Sequence, residues 1–152
     1  MVGRVVRFVD LPPMWTIVAM AGCLLLSRYE APFADSNYLR VSGGVVMAIA
    51  LFVMLWAVRH LMRADTAVMP HSRPRTLVRS GPYKFSRNPI YVADLALVIG
   101  FAVACGQPLG ALLALPLAVV LLQRFIRPEE AVLEREFEAQ FRAWRAEIPR
   151  WL

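Results

Sequence analysis

Two short polar signals interrupt long apolar stretches of this 152-residue chain. The first is Thr76-Leu77-Val78-Arg79-Ser80-Gly81-Pro82-Tyr83, followed by Arg87-Asn88-Pro89-Ile90-Tyr91; the second is Pro128-Glu129-Glu130. If the helices between them fold back as a hairpin, the two signals meet on one side of a membrane and form a polar pocket where lipid and water adjoin. Each signal also has a plain structural account. Asn88 reads as an N-cap with Pro89 at the first helical position, and Tyr83 and Tyr91 suit an interface. Arg87 can snorkel, and two acids in a first turn complement the helix dipole. Their order and shared side of the membrane favour a functional reading.

The elements that must position these residues are apolar helices. With 59% hydrophobic residues and a mean hydropathy of +0.53, the composition is that of a small polytopic membrane protein rather than a soluble domain. The pattern predicts an all-α membrane protein with four transmembrane helices, at about 11–27, 39–60, 89–105 and 109–126, and a C-terminal amphipathic interfacial helix at about 129–147. Leu133, Phe137, Phe141, Trp144 and Ile148 recur on one face of that last helix. The whole chain, 1–152, is then one integral membrane domain, with a cytoplasmic loop at 63–88 and a cytoplasmic tail at 128–152. The first and third spans are short and need flanking residues or a thinned bilayer. Pro12 and Pro13 suit a first turn, Ser42-Gly43-Gly44 suits close helix approach, and Pro116 is expected to kink the fourth span.

The net charge of +6 reads as a topology signal. Arg4 and Arg7 precede the first span, Arg59, Arg63, Arg73, Arg75, Arg79, Lys84 and Arg87 crowd the second loop, and six arginines follow from Arg124 onward. The first loop has Arg28 and Arg40 against Glu30 and Asp35. The positive-inside rule puts both termini in the cytoplasm of a multi-pass membrane protein, expected in a bacterial cytoplasmic membrane. Basic residues flanking spans leave no soluble surface for nucleic acid. Cys23 and Cys105 read as small apolar residues rather than a disulfide, and with His60 and His71 they build no metal site. Met20-Ala21-Gly22-Cys23 is similar to a lipoprotein cleavage box, but Leu24-Leu25-Leu26 carries the apolar run through it, as a retained span does.

The motifs, taken in order, resemble the isoprenylcysteine carboxyl methyltransferase and phospholipid methyltransferase family of membrane methyltransferases, in a short bacterial-type form. The resemblance rests on Thr76 to Tyr83, Arg87-Asn88-Pro89-x-Tyr91, Glu129-Glu130-x-x-Leu133 and Phe137, and runs from about Arg75 to Pro149. It implies an all-helical enzyme using S-adenosyl-L-methionine. Carried over by position, Arg75, Thr76, Leu77, Val78 and Tyr83 line the cofactor, Asn88, Pro89, Ile90 and Tyr91 form the next wall, and Glu129, with Glu130 beside it, binds a polar end. The isoprenylcysteine branch has histidine at Asn88 and an arginine at Phe125, which Arg124 and Arg127 replace only if the helix is rotated. After Phe137 that family shows glycine and two tyrosines, whereas this chain has Glu138, Phe141 and Trp144.

Methyl transfer from a sulfonium asks the protein mainly to align donor and acceptor and to exclude water. A carboxylate or thiol acceptor needs no strong base; an amine must first lose a proton. Asp94, an ionisable group within a span, is a candidate for steering a cationic headgroup, the alternative being an ion pair with Arg87 or another basic residue. Asp94, Arg124 and Arg127 are therefore the substrate-side candidates. No GxGxxG occurs, so no Rossmann cofactor domain is expected. The leading expectation is a methyltransferase of a lipophilic acceptor taken from the membrane, with the oligomeric state open. A phospholipid amine N-methyltransferase is the alternative within the class, and a non-catalytic scaffold or transporter subunit is the alternative outside it. Reductases with a similar pocket have more spans than this length allows.

Overall fold

The computed structural model describes residues 11–26, 36–66 and 74–152. Expectations resting on Arg4, Arg7, Arg28, Glu30, Asp35, His71 and Arg73 lie outside the described residues. All regular structure among the described residues is helical. It comprises α1 (Pro12–Leu26), α2 (Asn37–Arg63), a 3-10 turn (Gly81–Lys84), α3 (Pro89–Ala104), a second 3-10 stretch (Pro108–Leu113), α4 (Ala114–Leu121), a π-helical turn (Leu122–Ile126) and α5 (Arg127–Glu147).

Two helices are long and apolar enough to cross a membrane: α2, and the continuous helical run Pro108–Glu147. Of the four expected spans, α1 and α3 fall short, with 15 and 16 residues. At 1.5 Å per residue each is about 23 Å long, against a hydrocarbon thickness of about 30 Å. The run Pro108–Glu147 has 40 residues, about twice what the hydrocarbon needs. Its apolar part ends at Ile126, and Arg127-Pro128-Glu129-Glu130 begins the charged part, which α5 carries.

Prolines set the changes of helix type in this run. Pro116 falls in the first turn of α4, so the expected kink takes the form of a changeover from 3-10 to α-helix. Pro128 has no amide to bond the carbonyl four residues earlier, and the wide π turn lies over that position. The tail helix therefore opens at Arg127 rather than 129 and is joined to the fourth apolar segment without a loop.

The chain divides into two compact units, residues 1–51 with 94–120, and residues 52–93 with 121–152. In the first unit α1 packs on the 3-10 stretch Pro108–Leu113, with Cys23 buried and its Sγ 3.4 Å from the Gly110 carbonyl. Cys105, expected to be a buried apolar residue, is exposed, whereas Cys23 is buried. Gly43 is the point of closest helix approach. A Cβ there would lie 2.3 Å from the Ala104 amide nitrogen and 2.5 Å from the Gly100 carbonyl oxygen, whereas one on Gly44 would meet nothing. Ile17, Leu25, Val41 and Ile49 remain exposed on these helices, an apolar surface suited to lipid.

The second unit has a core of Ala57, Val78, Tyr83, Phe141 and Trp144, with Leu61, Leu77, Ile90, Leu133, Phe137 and Ile148 packed against it. All five residues expected on one face of α5 belong to this cluster, while Arg135, Glu138, Arg142 and Arg145 are exposed. The face is buried by protein. Within α5, Glu138 has φ 36° and ψ −107°, which breaks the helical path in the middle of the element.

Candidate cofactor site

The site lies in the second unit, where the loop before α3, the first turn of α3 and the start of α5 come together. Gly81, with φ +61°, turns the loop beneath His60; a Cβ there would fall 2.5 Å from His60 Nε2. The backbone conformation and the close ring both demand glycine. The 3-10 turn that follows buries Tyr83, at 7% exposure, in the core. α3 then begins at Pro89, and the Val92 amide donates to the Asn88 carbonyl at 3.1 Å, as the capped-start reading requires.

The two glutamates have different surroundings. Tyr91 Oη donates to Glu129 Oε1 at 2.7 Å, and Tyr91 in turn lies beside Phe125, ring centroids 6.3 Å apart. Among the described residues, no cation pairs with Glu129. Burial pushes its carboxyl up to about 7, the Tyr91 hydrogen bond pulls it back, and the Glu130 charge adds to the rise. Burial also raises the Tyr83 phenol, with the Glu129 charge as the lesser cause. Glu130, by contrast, is fully engaged. Arg150 donates from Nε and Nη2 to its two oxygens at 3.0 and 2.7 Å, and Arg87 Nη1 lies 2.8 Å from Oε1. Burial lowers the Arg87 guanidinium and Glu130 opposes that; the hydrogen bond with Glu130 raises Arg150.

The residues expected to line a cofactor separate into four groups. Tyr91 and Glu129 meet, with Pro89 buried and Ile90 in the adjacent core. Leu77, Val78 and Tyr83 are in that same core. Arg75 and Thr76 are exposed and tied to the end of α2: Arg75 Nη1 pairs with Asp65 at 2.6 Å, and both amides donate to Thr66 Oγ1, at 3.0 and 3.4 Å. The Arg75 side chain and both backbone amides serve the turn after α2. Asn88 Nδ2 donates to the Arg150 carbonyl at 2.9 Å, so its amide and Glu130 are both taken up by protein.

On the substrate side, Arg124 and Arg127 are exposed, and Phe125 between them is fully buried. The helix is not rotated to bring either arginine into the position of Phe125. Asp94 belongs to the first unit, where Thr16 Oγ1 donates to its Oδ1 at 2.9 Å. Arg87 pairs with Glu130, and among the described residues Asp94 bonds Thr16 rather than a basic residue. Sequence reasoning missed Ser86 and Arg150 as neighbours of the motifs, and it singled out Phe125 without its contact with Tyr91. Only the run Arg87-Asn88 hinted at Ser86, and no local pattern marks Arg150.

A desolvated carboxylate held by a phenol, with no cation beside it among the described residues, has the chemistry to take a cationic or hydroxyl-bearing end of a ligand. Sequence comparison bears on the same residues: the model of the phospholipid methyltransferase family matches residues 38–140. The chain belongs to that family. The match covers more than half of the 152 residues, including Asn88, Tyr91, Glu129 and Glu130, and ends before Phe141, Trp144 and Arg150. No curated protein matches the chain. Membership in the phospholipid methyltransferase family, a family of membrane methyltransferases, bears out the resemblance read from the motifs.

Proposed function

We propose that this member of the phospholipid methyltransferase family is a multi-pass membrane enzyme that transfers a methyl group from S-adenosyl-L-methionine to a lipophilic acceptor. The observation that carries the reading is Glu129, desolvated, bonded by Tyr91 and lacking a cationic partner among the described residues. Bound beside Glu129 and Tyr91, the cofactor would supply an electrophilic methyl group on its sulfonium for displacement by the acceptor. Glu129 takes the cationic or hydroxyl-bearing end of the cofactor, and Tyr91 holds the carboxylate in place. Leu77, Val78 and Tyr83 supply the apolar wall that excludes water.

In this reading α1 and α3 join the two longer helices as spans, using flanking residues or a thinned bilayer, and α5 lies on the cytoplasmic side with both termini. The acceptor comes laterally from the bilayer. An amine-bearing phospholipid headgroup is the second reading, favoured by Phe125. A fully buried phenylalanine stands where a carboxylate acceptor calls for arginine, which weakens an isoprenylcysteine-like carboxylate. Asp94, Arg124 and Arg127 remain the candidates on the acceptor side.

The direct test is calorimetric titration of S-adenosylhomocysteine into purified protein in detergent, with Glu129→Gln as the control. Micromolar binding that the substitution weakens supports the reading. A wild type that fails to bind sinks it and leaves a non-catalytic membrane scaffold as the better account. Turnover of amine lipid against a prenylcysteine carboxylate, with Asp94→Asn alongside, then separates the acceptors.

A further inference from the structure

The short segment after α5 is bound to both motifs of the site. Ile148 is extended, at φ −113° and ψ 128°, so the chain leaves the helix and presents successive carbonyls. The Arg87 amide donates to the Pro149 carbonyl at 3.0 Å. Asn88 Nδ2 and Ser86 Oγ both donate to the Arg150 carbonyl, at 2.9 and 3.3 Å. The Arg150 guanidinium then closes on Glu130 with two hydrogen bonds, and Ser86 Oγ also accepts from the Asn88 amide at 3.1 Å. Two residues thus hold the last loop positions before α3 and the first turn of α5.

We propose that Pro149-Arg150 is a latch that sets the two walls of the candidate cofactor site, with Arg150 a positioning residue acting through Glu130 on Glu129 and through Asn88 on Tyr91. The proposal rests on the cofactor reading. Asn88 immediately precedes the helix that carries Tyr91, so fixing its amide fixes the entry of α3. Glu130 is adjacent to Glu129, and its charge is one cause of the raised Glu129 carboxyl. Arg150 and Arg87 offset that charge. A buried carboxylate shared by two guanidiniums is stable only with good geometry, and the two-pronged Arg150 contact provides it. Among the described residues, the titratable groups facing Glu129 are Tyr91, Glu130 and Tyr83. Removing Arg150 leaves the Glu130 charge less compensated and makes Glu129 harder to ionise.

The test follows the Glu129 carboxyl stretch by infrared difference spectroscopy against Glu129→Gln, in ligand-free protein in nanodiscs, as pH is varied. Arg150→Gln is expected to raise the Glu129 midpoint by about half a pH unit or more, and Glu130→Gln to lower it. Arg150→Lys, which keeps the charge and loses the fork, should restore the midpoint. Hydrogen exchange over Arg87 to Tyr91 should accelerate in Arg150→Gln. Unchanged midpoints, or midpoints that move the same way in Arg150→Gln and Glu130→Gln, overturn the latch. Should Arg150→Gln fail to fold, the opposite-sign requirement is judged on Glu130→Gln and Arg150→Lys, a downward shift in the first with a retained midpoint in the second supporting the latch and any other result overturning it. S-adenosylhomocysteine titration on the same samples keeps the two ideas apart: a wild type that does not bind defeats the cofactor reading, while the carboxyl midpoints still decide the latch.

Discussion

Tyr91 Oη donates to Glu129 Oε1 across 2.7 Å, joining residues 38 positions apart. This bond favours the ionised carboxylate in a place where burial disfavours it. Tyr91→Phe should therefore raise the Glu129 midpoint above about 7 and weaken S-adenosylhomocysteine binding at neutral pH. A hydrogen bond to a charged group contributes about 1.5–3 kcal/mol, so a loss of about tenfold or more in affinity is expected by calorimetry. Equal affinity in the two proteins would remove Tyr91 from the site.

Stability and binding should respond to pH in opposite directions. The folded-state midpoint of Glu129, about 7, lies above its ordinary value of 4.5, so its contribution to stability is full below the ordinary value and is lost as pH rises through 7. Binding of a cationic group needs the ionised form and improves over the same window. Glu129→Gln should thus melt higher than wild type at pH 8, melt alike near pH 4, and bind ligand poorly throughout. Thermal melts in detergent at several pH values, paired with titrations, check this; a difference in melting that does not vary with pH would contradict it.

Helix approach in the first unit depends on Gly43. A methyl group there meets backbone atoms at 2.3 and 2.5 Å, which cannot move like a side chain. Gly43→Ala should destabilise by about 1–3 kcal/mol. Gly44→Ala, where a Cβ meets nothing, should be neutral or stabilise by up to about 1 kcal/mol. Unfolding of the two variants side by side is the measurement, and equal effects would refute the close approach.

Glu138 holds φ 36° and ψ −107°, a region that suits glycine and strains any other residue by about 1–3 kcal/mol. Its side chain is exposed and brings no compensating burial. Glu138→Gly should raise the melting temperature, whereas Glu138→Ala should not. If alanine stabilises as much as glycine, charge rather than backbone strain is the cause.

Much of the architecture was legible in the chain because hydrocarbon admits few solutions. Backbone groups in lipid must bond within helices, so the apolar runs read at about 11–27, 39–60, 89–105 and 109–126 specify helices, and Pro12, Pro89 and Pro128 mark where they start or change. Ser42-Gly43-Gly44 was readable as a place for close helix approach, but only the structure separates Gly43 from Gly44, and the residues spaced from Leu133 to Ile148 pack into the core of the second unit. Glu129 and Tyr91 were nominated by order and spacing of motifs. What the sequence did not contain was the difference between adjacent glutamates. Glu130 is consumed because Arg87 and Arg150, distant along the chain, converge on it, and among the described residues no cation joins Glu129. Likewise, Asp94 meets Thr16 instead of Arg87, and Arg75 turns outward to Asp65. Local pattern determined the helices and the candidate residues; tertiary structure decided which polar groups were already satisfied, because partners across long sequence separations are chosen by packing.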